Sequence, residues 1–402
     1  MYDFLVVGRG LIGTAAARYL GNSGKKTALI GPKEPEDWQT HQGVFASHYD
    51  EARITRVLDE DALWALLAKR SIEQYPEIEK KSQVIFHHGV GGLQIGPIPV
   101  SPDDYVAKLE SVAEELKVPF DQISNGQLQQ KFPFFSIPKG YTGIFEDQPA
   151  GYINPRQLVA AQMTAAQQSG VEWIDQSVTS LRKSGNFVEL KTDSGQLIQS
   201  KKVLIAAGAY TNFLIERPLD LYPKACTIVF AEVPEKELSF FKKMPTLIYE
   251  FEGHPKLTDI YMMPPVLYPD GKYYIKIGGG HITIGGQEDD ATFFHTFEEL
   301  TNWFHSDGDP AEADALKDVL FRTVPQLNKD RVHTKPCVTT YTSHGYPYID
   351  TLEREQIYVA AAGCGASAKS SNEIGRIAAH LTEYGKWTPD IAEEPFKAVF
   401  KQ

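Results

Sequence analysis

The stretch Gly8-Arg9-Gly10-Leu11-Ile12-Gly13 decides the fold of this chain. It follows the apolar run Phe4–Val7, which predicts a buried parallel strand, and it precedes TAAARYLGNSG, which predicts a helix. A second strand is predicted at Lys26–Ile30. A G-x-G-x-x-G motif between the strand and the helix of such a unit is typical of dinucleotide-binding folds. Its glycines permit a tight turn, a close approach of backbone N–H groups to a pyrophosphate, and close helix–strand packing.

The composition is that of a globular protein. Of the 402 residues, 42% are hydrophobic and 23% are charged, which excludes a disordered tail, a coiled coil and a collagen. The net charge of -12 disfavours binding to a nucleic-acid backbone. The sequence contains no apolar run of about 18 residues, so it predicts no membrane-spanning segment. The N-terminus MYDFLVVG is typical of a strand and not of a signal peptide, so we expect a cytoplasmic protein.

Two later strand–glycine–helix segments predict that the dinucleotide domain is interrupted by insertions. They are VLIAAGAY at 203–210 and IYVAAAGCG at 357–365. In an NAD-dependent enzyme, more strand–helix units would follow the first motif directly, but residues 38–51 predict a polar loop. We therefore expect an α/β fold with a discontinuous Rossmann-like domain and an inserted α+β lobe built on a mixed sheet. The expected division is a cofactor domain of 1–85, 148–216 and 333–388 and a substrate domain of 86–147 and 217–332.

One element of the dinucleotide fingerprint is missing. The acidic residue that should end the second strand and bind a ribose hydroxyl is Gly31 here. Glu34 is the nearest candidate to replace it, although it lies in the predicted loop. The sequence thus predicts a pyrophosphate site and leaves the ribose contact open.

Four further segments carry arginines, a lysine, a cysteine and glycines in distinctive patterns. SHYDEARITR at 47–56 holds two arginines three residues apart, so one helical turn could aim both in the same direction. KYYIKIG at 272–278 alternates as a strand, with a lysine between two isoleucines. CVTTYT at 337–342 starts with a cysteine 13 residues before Asp350, and GCGASAKSS at 363–371 opens a predicted helix. Taken alone, these segments also fit a solvated basic turn, a lysine that reaches solvent and a buried free thiol.

In the order and content of these motifs, the chain resembles the FAD-dependent amine oxidases of the sarcosine oxidase type. That family includes monomeric sarcosine oxidase, N-methyltryptophan oxidase, pipecolate oxidase and the fructosyl amine oxidases. The resemblance extends from Asp3 to about Thr388. It implies that FAD removes a hydride equivalent from the carbon beside an amine nitrogen, that the imine hydrolyses, and that O2 is reduced to H2O2.

The resemblance also implies roles for single residues. Arg53 would lie against the flavin ring, and Arg56 together with Lys369 would bind the substrate carboxylate, for which a guanidinium is well suited. Lys276 would activate O2, because a cation stabilises the superoxide formed by the first electron transfer. Cys337 would carry the flavin covalently through its sulfur.

The resemblance is weakest around the substrate amine. Sarcosine-specific members have a histidine where this chain has Tyr49, and tyrosines where it has Met262 and Thr339. A further family histidine is displaced by one residue to His281. The pattern predicts the same reaction on an amino acid other than sarcosine, with room for a longer side chain.

The predicted site has three groups of residues and no metal. The catalytic pair is Lys276 and Arg53. The substrate contacts are predicted at Arg56, Lys369, Tyr49, Met262 and Thr339. The FAD contacts are predicted at Gly8, Gly10, Leu11, Ile12, Gly13, Ser47, Arg53, Val178, Ala207, Gly208, Cys337, Gly363, Gly365 and Lys369. The expected partners are a small amino acid with a free carboxylate and O2.

Three alternatives remain open at this point. The first is a flavin dehydrogenase that passes electrons to a quinone or a protein, which Lys276 disfavours. The second is an NAD-dependent dehydrogenase, which explains neither Cys337 nor the GCG segment at 363–365. The third is a scaffold without catalysis, which the three expected pocket cations disfavour because unpaired buried charge is costly.

Overall fold

A computed structural model describes residues 1–281, 291–353 and 355–401. Its strands, in chain order, are β1 (Tyr2–Val7), β2 (Thr27–Ile30), β3 (Arg53–Thr55), β4 (His87–His88), β5 (Gly92–Pro97), β6 (Asp121–Ile123), β7 (Tyr141–Glu146), β8 (Gly151–Ile153), β9 (Glu172–Ile174), β10 (Val178–Ser184), β11 (Phe187–Thr192), β12 (Leu197–Ile205), β13 (Leu221–Val233), β14 (Thr246–Glu250), β15 (Leu257–Met262), β16 (Val266–Leu267), β17 (Tyr273–His281), β18 (Val332–Thr342), β19 (Tyr348–Glu353) and β20 (Ile357–Ala361). Its helices are α1 (Leu11–Gly21), α2 (Ala62–Ile72), α3 (Tyr75–Ser82), α4 (Tyr105–Leu116), α5 (Asn125–Lys131), α6 (Pro155–Gln168), α7 (Leu238–Phe241), α8 (Phe297–Phe304), α9 (Pro310–Thr323) and α10 (Ser367–Tyr384).

The first sheet confirms the predicted Rossmann-like domain. Five parallel strands form its centre in the order β9-β2-β1-β12-β20, so the three strand–glycine segments of the sequence meet in one sheet. β1 is buried on both faces. Phe4 and Val6 pack with α1, α2, α6 and α10, while Leu5 and Val7 pack with the antiparallel strands β11 and β19. This burial explains why β1 reads as a continuous apolar run.

The second sheet is mixed, as expected for the inserted lobe. Its strand order is β18-β13-β17-β15-β14-β5-β7-β6, with β14 and β5 parallel and the other neighbours antiparallel. One face packs on a core that includes α5, α7 and α9. The other face carries Tyr274 and Lys276 and packs against Ala52, beside β3. Side chains alternate along a strand, so Tyr274 and Lys276 share this face, and its contacts with Ala52 and Ile54 turn it towards the first lobe.

β18 connects the two lobes. It pairs with β13 from Leu221 opposite Thr342 to Ala231 opposite Val332, so it belongs to the second sheet by its hydrogen bonds. The expected division assigns residues 333–388 to the cofactor domain, and that division stays a prediction. Within the described ranges, no helix combines the length and apolar composition needed to span a membrane.

Candidate active site

The main cavity lies where the carboxyl ends of the parallel strands meet β18. It has a volume of about 590 Å³. Most of the residues predicted to bind the cofactor line it, namely Gly8, Gly10, Leu11, Ile12, Ser47, Arg53, Val178, Ala207, Gly208, Cys337, Gly363 and Gly365. Gly13 and Lys369 are not among its lining residues. Ligands of open α/β sheets bind at this end of the strands, so the cavity is the expected place for a dinucleotide.

The three glycines of the first turn are glycine for different structural reasons. Gly8 has a φ of +115°, and a Cβ at Gly8 would lie 2.2 Å from the carbonyl oxygen of Ala206. A Cβ at Gly13 would lie 1.9 Å from the carbonyl oxygen of Gly8, so Gly13 is required for packing. At Gly10, no described heavy atom lies within 4 Å of an added Cβ, and no side chain caps the helix that starts there. The backbone at Gly10 is therefore open to an anion at the N-terminus of α1.

Replacing Gly10 by alanine is expected to weaken FAD binding about tenfold or more, because the methyl group would occupy the space of the pyrophosphate. The structure leaves room for that methyl group, so the melting temperature of the apoprotein should change little. Flavin titration of the apoprotein and its thermal unfolding measure the two effects. Gly126→Ala, at an equally open position in α5, is the control and should leave FAD affinity unchanged.

Three cavity residues offer polar groups that suit a bound FAD. Among the described residues, His48 Nδ1 and Tyr49 Oη are buried and have no hydrogen-bond partner, and both residues line the cavity. Burial, followed by Arg9 and other nearby cations, lowers the pKa of His48 to about 3, so its ring is neutral. Arg9 also lines the cavity and stacks on Trp173 at 4.3 Å from the ring centroid. A ligand rich in phosphate and hydroxyl groups would satisfy all three residues.

The ribose contact considered for Glu34 stays a prediction, and Glu34 is not among the residues that line the main cavity. Both carboxylate oxygens of Glu34 accept hydrogen bonds from Arg156, at 2.7 Å from Nε and 2.6 Å from Nη2. Gly31 has a separate reason to be glycine, since a Cβ there would lie 2.7 Å from the backbone N of Arg9. Any side chain at position 31 would clash with Arg9, which accounts for the absence of the ribose-binding acidic residue there.

Lys276 and Arg53, the predicted catalytic pair, meet at a shared aspartate. Lys276 is 0% exposed, and its Nζ lies 2.6 Å from Asp50 Oδ2 and also donates to the carbonyl oxygen of Ala52. Arg53 is ion-paired with the same oxygen of Asp50. Tyr268 donates to Asp50 Oδ1 at 2.8 Å. Burial and the Arg53 guanidinium lower the pKa of Lys276, while the ion pair with Asp50 favours its charged form.

A second aspartate joins the predicted carboxylate-binding residues. Asp59 Oδ2 lies 2.5 Å from Lys369 Nζ and 3.4 Å from Arg56 Nη2. Arg56 also donates through Nε to Gln94 Oε1 at 3.0 Å. Burial raises the pKa of Asp59, but Lys369 and Arg56 outweigh it and hold the pKa below its ordinary value. Burial, followed by Arg56, lowers the pKa of Lys369 to about 8. Neither Arg56 nor Lys369 is among the residues that line the main cavity.

Of the predicted pocket residues around the amine, Tyr49 and Thr339 line the main cavity. Met262 does not fit the predicted contact, because it is 0% exposed and belongs to the core on the far face of the second sheet. It pairs with Ile277 across β15 and β17, whereas Lys276 points to the opposite face. Its neighbour Tyr261 packs on the face that carries Lys276. Strand alternation therefore favours Tyr261 over Met262 as the residue nearer the site.

Cys337 lies at one end of the main cavity. It also lines a smaller cavity of about 250 Å³, whose wall includes Asp50, Arg53 and Tyr49. Cys337 is directly opposite Cys226 in the β13–β18 pair. Cys226 is not among the residues that line either cavity. Cys337 thus lies where a ligand of the main cavity would contact it, and Cys226 does not.

Comparison with known proteins identifies relatives of the whole chain. The family described as FAD dependent oxidoreductase matches residues 3–381. Monomeric sarcosine oxidase of Arthrobacter sp. (strain TE1826) is 25% identical over 397 residues, which cover 97% of this chain and 95% of that protein. N-methyl-L-tryptophan oxidase of Yersinia pestis (strain Pestoides F) is 25% identical over 227 residues, which cover 53% of this chain and 55% of that protein.

A solved structure extends the comparison to the fold. NikD in its open form, described as an unusual amino acid oxidase essential for nikkomycin biosynthesis, superposes with a TM-score of 0.79 at 20% sequence identity. The superposition covers 100% of this chain and 98% of NikD. At this identity, the similarity to NikD shows a common fold of both lobes.

Proposed function

The chain belongs to the FAD-dependent oxidoreductase family, and from this premise we propose that it oxidises the C–N bond of a small amino acid or N-substituted amino acid. O2 is the proposed acceptor of the two electrons and becomes H2O2. The imine product would hydrolyse to a carbonyl compound and an amine. The observation that carries the proposal is the fully buried Lys276, which is joined through Asp50 to Arg53 at the wall of the dinucleotide cavity.

The cavity residues suggest how FAD would be held. The N-terminus of α1 and Arg9 would bind the pyrophosphate, and the neutral ring of His48 could complete its hydrogen bonds on the cofactor. The helix α10 starts at Ser367, next to the cavity residues Gly363 and Gly365. Its N-terminal dipole would stabilise negative charge on the reduced ring. FAD supplies the hydride acceptor, and the residues of this chain supply orientation and electrostatics.

Three cationic residues of this chain would act on the substrate and on O2. Arg56 and Lys369 would orient the substrate through its carboxylate, so that the carbon beside the nitrogen is positioned for hydride loss. Lys276 would stabilise negative charge that develops on oxygen, and the pairing with Asp50 would keep its ammonium in one place. Tyr49 and Thr339 replace residues of the sarcosine-specific pattern, which supports a substrate other than sarcosine.

We further propose that the flavin is bonded to Cys337. Intact mass and acid precipitation test this directly. The wild-type protein is expected to keep its yellow colour in the acid pellet and to show the mass of the chain plus one FAD on the Cys337 peptide. Cys337→Ala should release the flavin to the supernatant. Cys226→Ala, which changes the thiol opposite in the sheet, should keep the flavin attached. Release from the wild type would contradict covalent attachment while leaving a flavin enzyme.

A second candidate function is a dehydrogenase that passes electrons to a quinone or a protein. The observation in its favour is the Asp50 carboxylate, which compensates the charge of the proposed oxygen-activating lysine. A panel of amino acids and N-methyl amino acids, assayed both for peroxide in air and for reduction of an artificial acceptor without air, separates the two functions. Turnover that yields one H2O2 per imine supports the oxidase. Turnover with the artificial acceptor alone supports the dehydrogenase.

A further inference from the structure

We infer that Asp59 is a specificity-determining residue that occupies the carboxylate subsite between Arg56 and Lys369, and that a ligand carboxylate binds there by displacing it. The inference rests on the proposed function, in which these two cations hold the substrate carboxylate. It adds that Asp59 competes with the ligand for the two cations. The affinity for a carboxylate is then set by the difference between the free energy of the ion pairs that the ligand forms and that of the ion pairs that Asp59 gives up.

The geometry of Asp59 is that of a bound carboxylate. A single oxygen, Oδ2, receives both cations, at 2.5 Å from Lys369 Nζ and 3.4 Å from Arg56 Nη2. The side chains of Lys369, Arg56 and Asp59 are only 3%, 12% and 12% exposed. Ion pairs at this depth are weakly screened by solvent. A substrate carboxylate that approaches the two cations therefore meets an anion that already compensates part of their charge.

Side chains and backbone groups beside the cluster hold it through further hydrogen bonds. Gln94 Oε1 accepts from Arg56 Nε at 3.0 Å and from Tyr105 Oη at 2.7 Å. Gln94 Nε2 donates to the carbonyl oxygen of Leu58 at 3.2 Å. The second oxygen of Asp59 accepts from the backbone N–H of Asp61 at 3.3 Å. Arg56 and Lys369 have further N–H donors, but the buried carboxylate of Asp59 would face an incoming carboxylate as a like charge, so displacement of Asp59 removes a repulsion as well as a competitor.

The backbone before Asp59 is anchored separately. The buried carboxylate of Glu146 accepts the backbone N–H groups of Val57 and Leu58, each at 3.0 Å. Burial raises the pKa of Glu146 despite these bonds. The anchor fixes the chain between Arg56 and Asp59, so displacement of Asp59 requires a rotation of its side chain and leaves the backbone in place. The ligand carboxylate would then replace the Asp59 carboxylate while the backbone stays in place.

This arrangement predicts which ligands the site disfavours. A simple monocarboxylate gains two ion pairs at the clamp but displaces two similar ion pairs of Asp59. A neutral amide gains less at the clamp and displaces nothing. The protein is therefore expected to bind benzoate only weakly compared with a form in which Asp59 is uncharged, and to bind benzamide equally in both forms.

The test titrates the flavin-loaded protein with benzoate and with benzamide, following the change in visible absorbance that accompanies binding. Asp59→Asn is expected to tighten benzoate binding about tenfold or more and to leave benzamide binding within about twofold. Asp59→Ser should show the same pattern, so the test does not depend on one variant retaining flavin. Asp61→Asn removes an equal charge two residues away and preserves the cap of α2, and it should leave benzoate binding unchanged.

Two results would overturn the inference in different ways. Equal or weaker benzoate binding by Asp59→Asn and Asp59→Ser would show that Asp59 supports the clamp and does not compete with ligands. If Asp61→Asn tightened benzoate binding as much as Asp59→Asn does, the effect would come from the loss of a nearby negative charge and not from competition by Asp59. Arg56→Met and Lys369→Met, each combined with Asp59→Asn, separate the inference from the proposed function, because Asp59 no longer competes in these double variants. If both double variants bind benzoate as Asp59→Asn does, then the carboxylate clamp itself lies elsewhere.

Discussion

Replacing Lys276 by methionine is expected to slow the reaction of the reduced enzyme with O2 about 100-fold or more. Lys276 is the only fully buried lysine among the described residues, and its Nζ is held by Asp50 and by the carbonyl oxygen of Ala52. Methionine keeps the length of the side chain and removes the cation, so oxygen would lose the positive charge that stabilises its first reduced form. The protein is reduced anaerobically with dithionite and mixed with O2 in a stopped-flow instrument, so no knowledge of the substrate is needed.

The control for this variant is Lys272→Met. Lys272 lies just before the same strand, but it is more than half exposed and is paired with Glu232. Its replacement should leave the rate of reoxidation unchanged. A reoxidation rate for Lys276→Met within threefold of the wild-type rate would show that this buried lysine serves the fold and does not act on oxygen. The dehydrogenase function would then be the better account of the chain.

The second large effect is expected at Arg56. Replacing it by methionine should lower kcat/KM for the amino acid substrate about 100-fold or more, because a substrate whose carboxylate is held at one point only is misaligned for hydride loss, and a misplacement of about 1 Å can cost about 100-fold. The guanidinium contacts Asp59 and Gln94 and is 12% exposed, so no solvent shell can replace it. Steady-state kinetics with the substrate found in the amino acid panel measures the effect.

Arg182→Met is the control for Arg56→Met. Arg182 is ion-paired with Glu189 on the surface of the first lobe and is 74% exposed. Surface pairs of this kind contribute about 1 kcal/mol or less, so its replacement should change neither kcat nor KM. If Arg56→Met keeps kcat/KM within threefold of the wild-type value, then Arg56 does not bind the substrate.

Much of the fold could be predicted because its signals are local. The strand, the glycine turn and the helix at the N-terminus stand within about 30 residues, a length at which periodicity and turn chemistry act directly. The later strands β12 and β20 ended in the same kind of glycine turn, and the structure places both beside β1 in the parallel centre of the sheet. The order of strands in the second lobe could not be predicted, because it depends on pairing over long separations.

The site was less predictable, because its decisive contacts are not local. Asp50 meets Lys276 across 226 residues, and Asp59 meets Lys369 across 310 residues. A local signal was nevertheless available for each aspartate. Asp50 forms an ion pair with Arg53, and Asp59 forms one with Arg56, in each case at a spacing of three residues. A solvated turn was one of two interpretations of the segment that holds the first pair, and the second pair was overlooked. Only the packing of β3 between the two lobes shows that both are withdrawn from solvent.

Met262 illustrates a different source of error. Alternation in LTDIYM places Ile260 and Met262 on one face of β15 and Tyr261 on the other. The sequence alone shows this alternation, but it does not show which face meets the cofactor domain. That choice follows from the register of β15 with β17, in which Met262 is opposite Ile277.

Anaerobic mixing of the flavin-loaded protein with a panel of amino acids and N-methyl amino acids, followed by the admission of air, tests directly whether the protein oxidises an amino acid. We expect at least one of these compounds to bleach the visible absorbance of the flavin, and air to restore the colour with one H2O2 for each flavin. A flavin that none of these compounds bleaches, or a bleached flavin that air does not restore, would contradict oxidation of an amino acid C–N bond by O2.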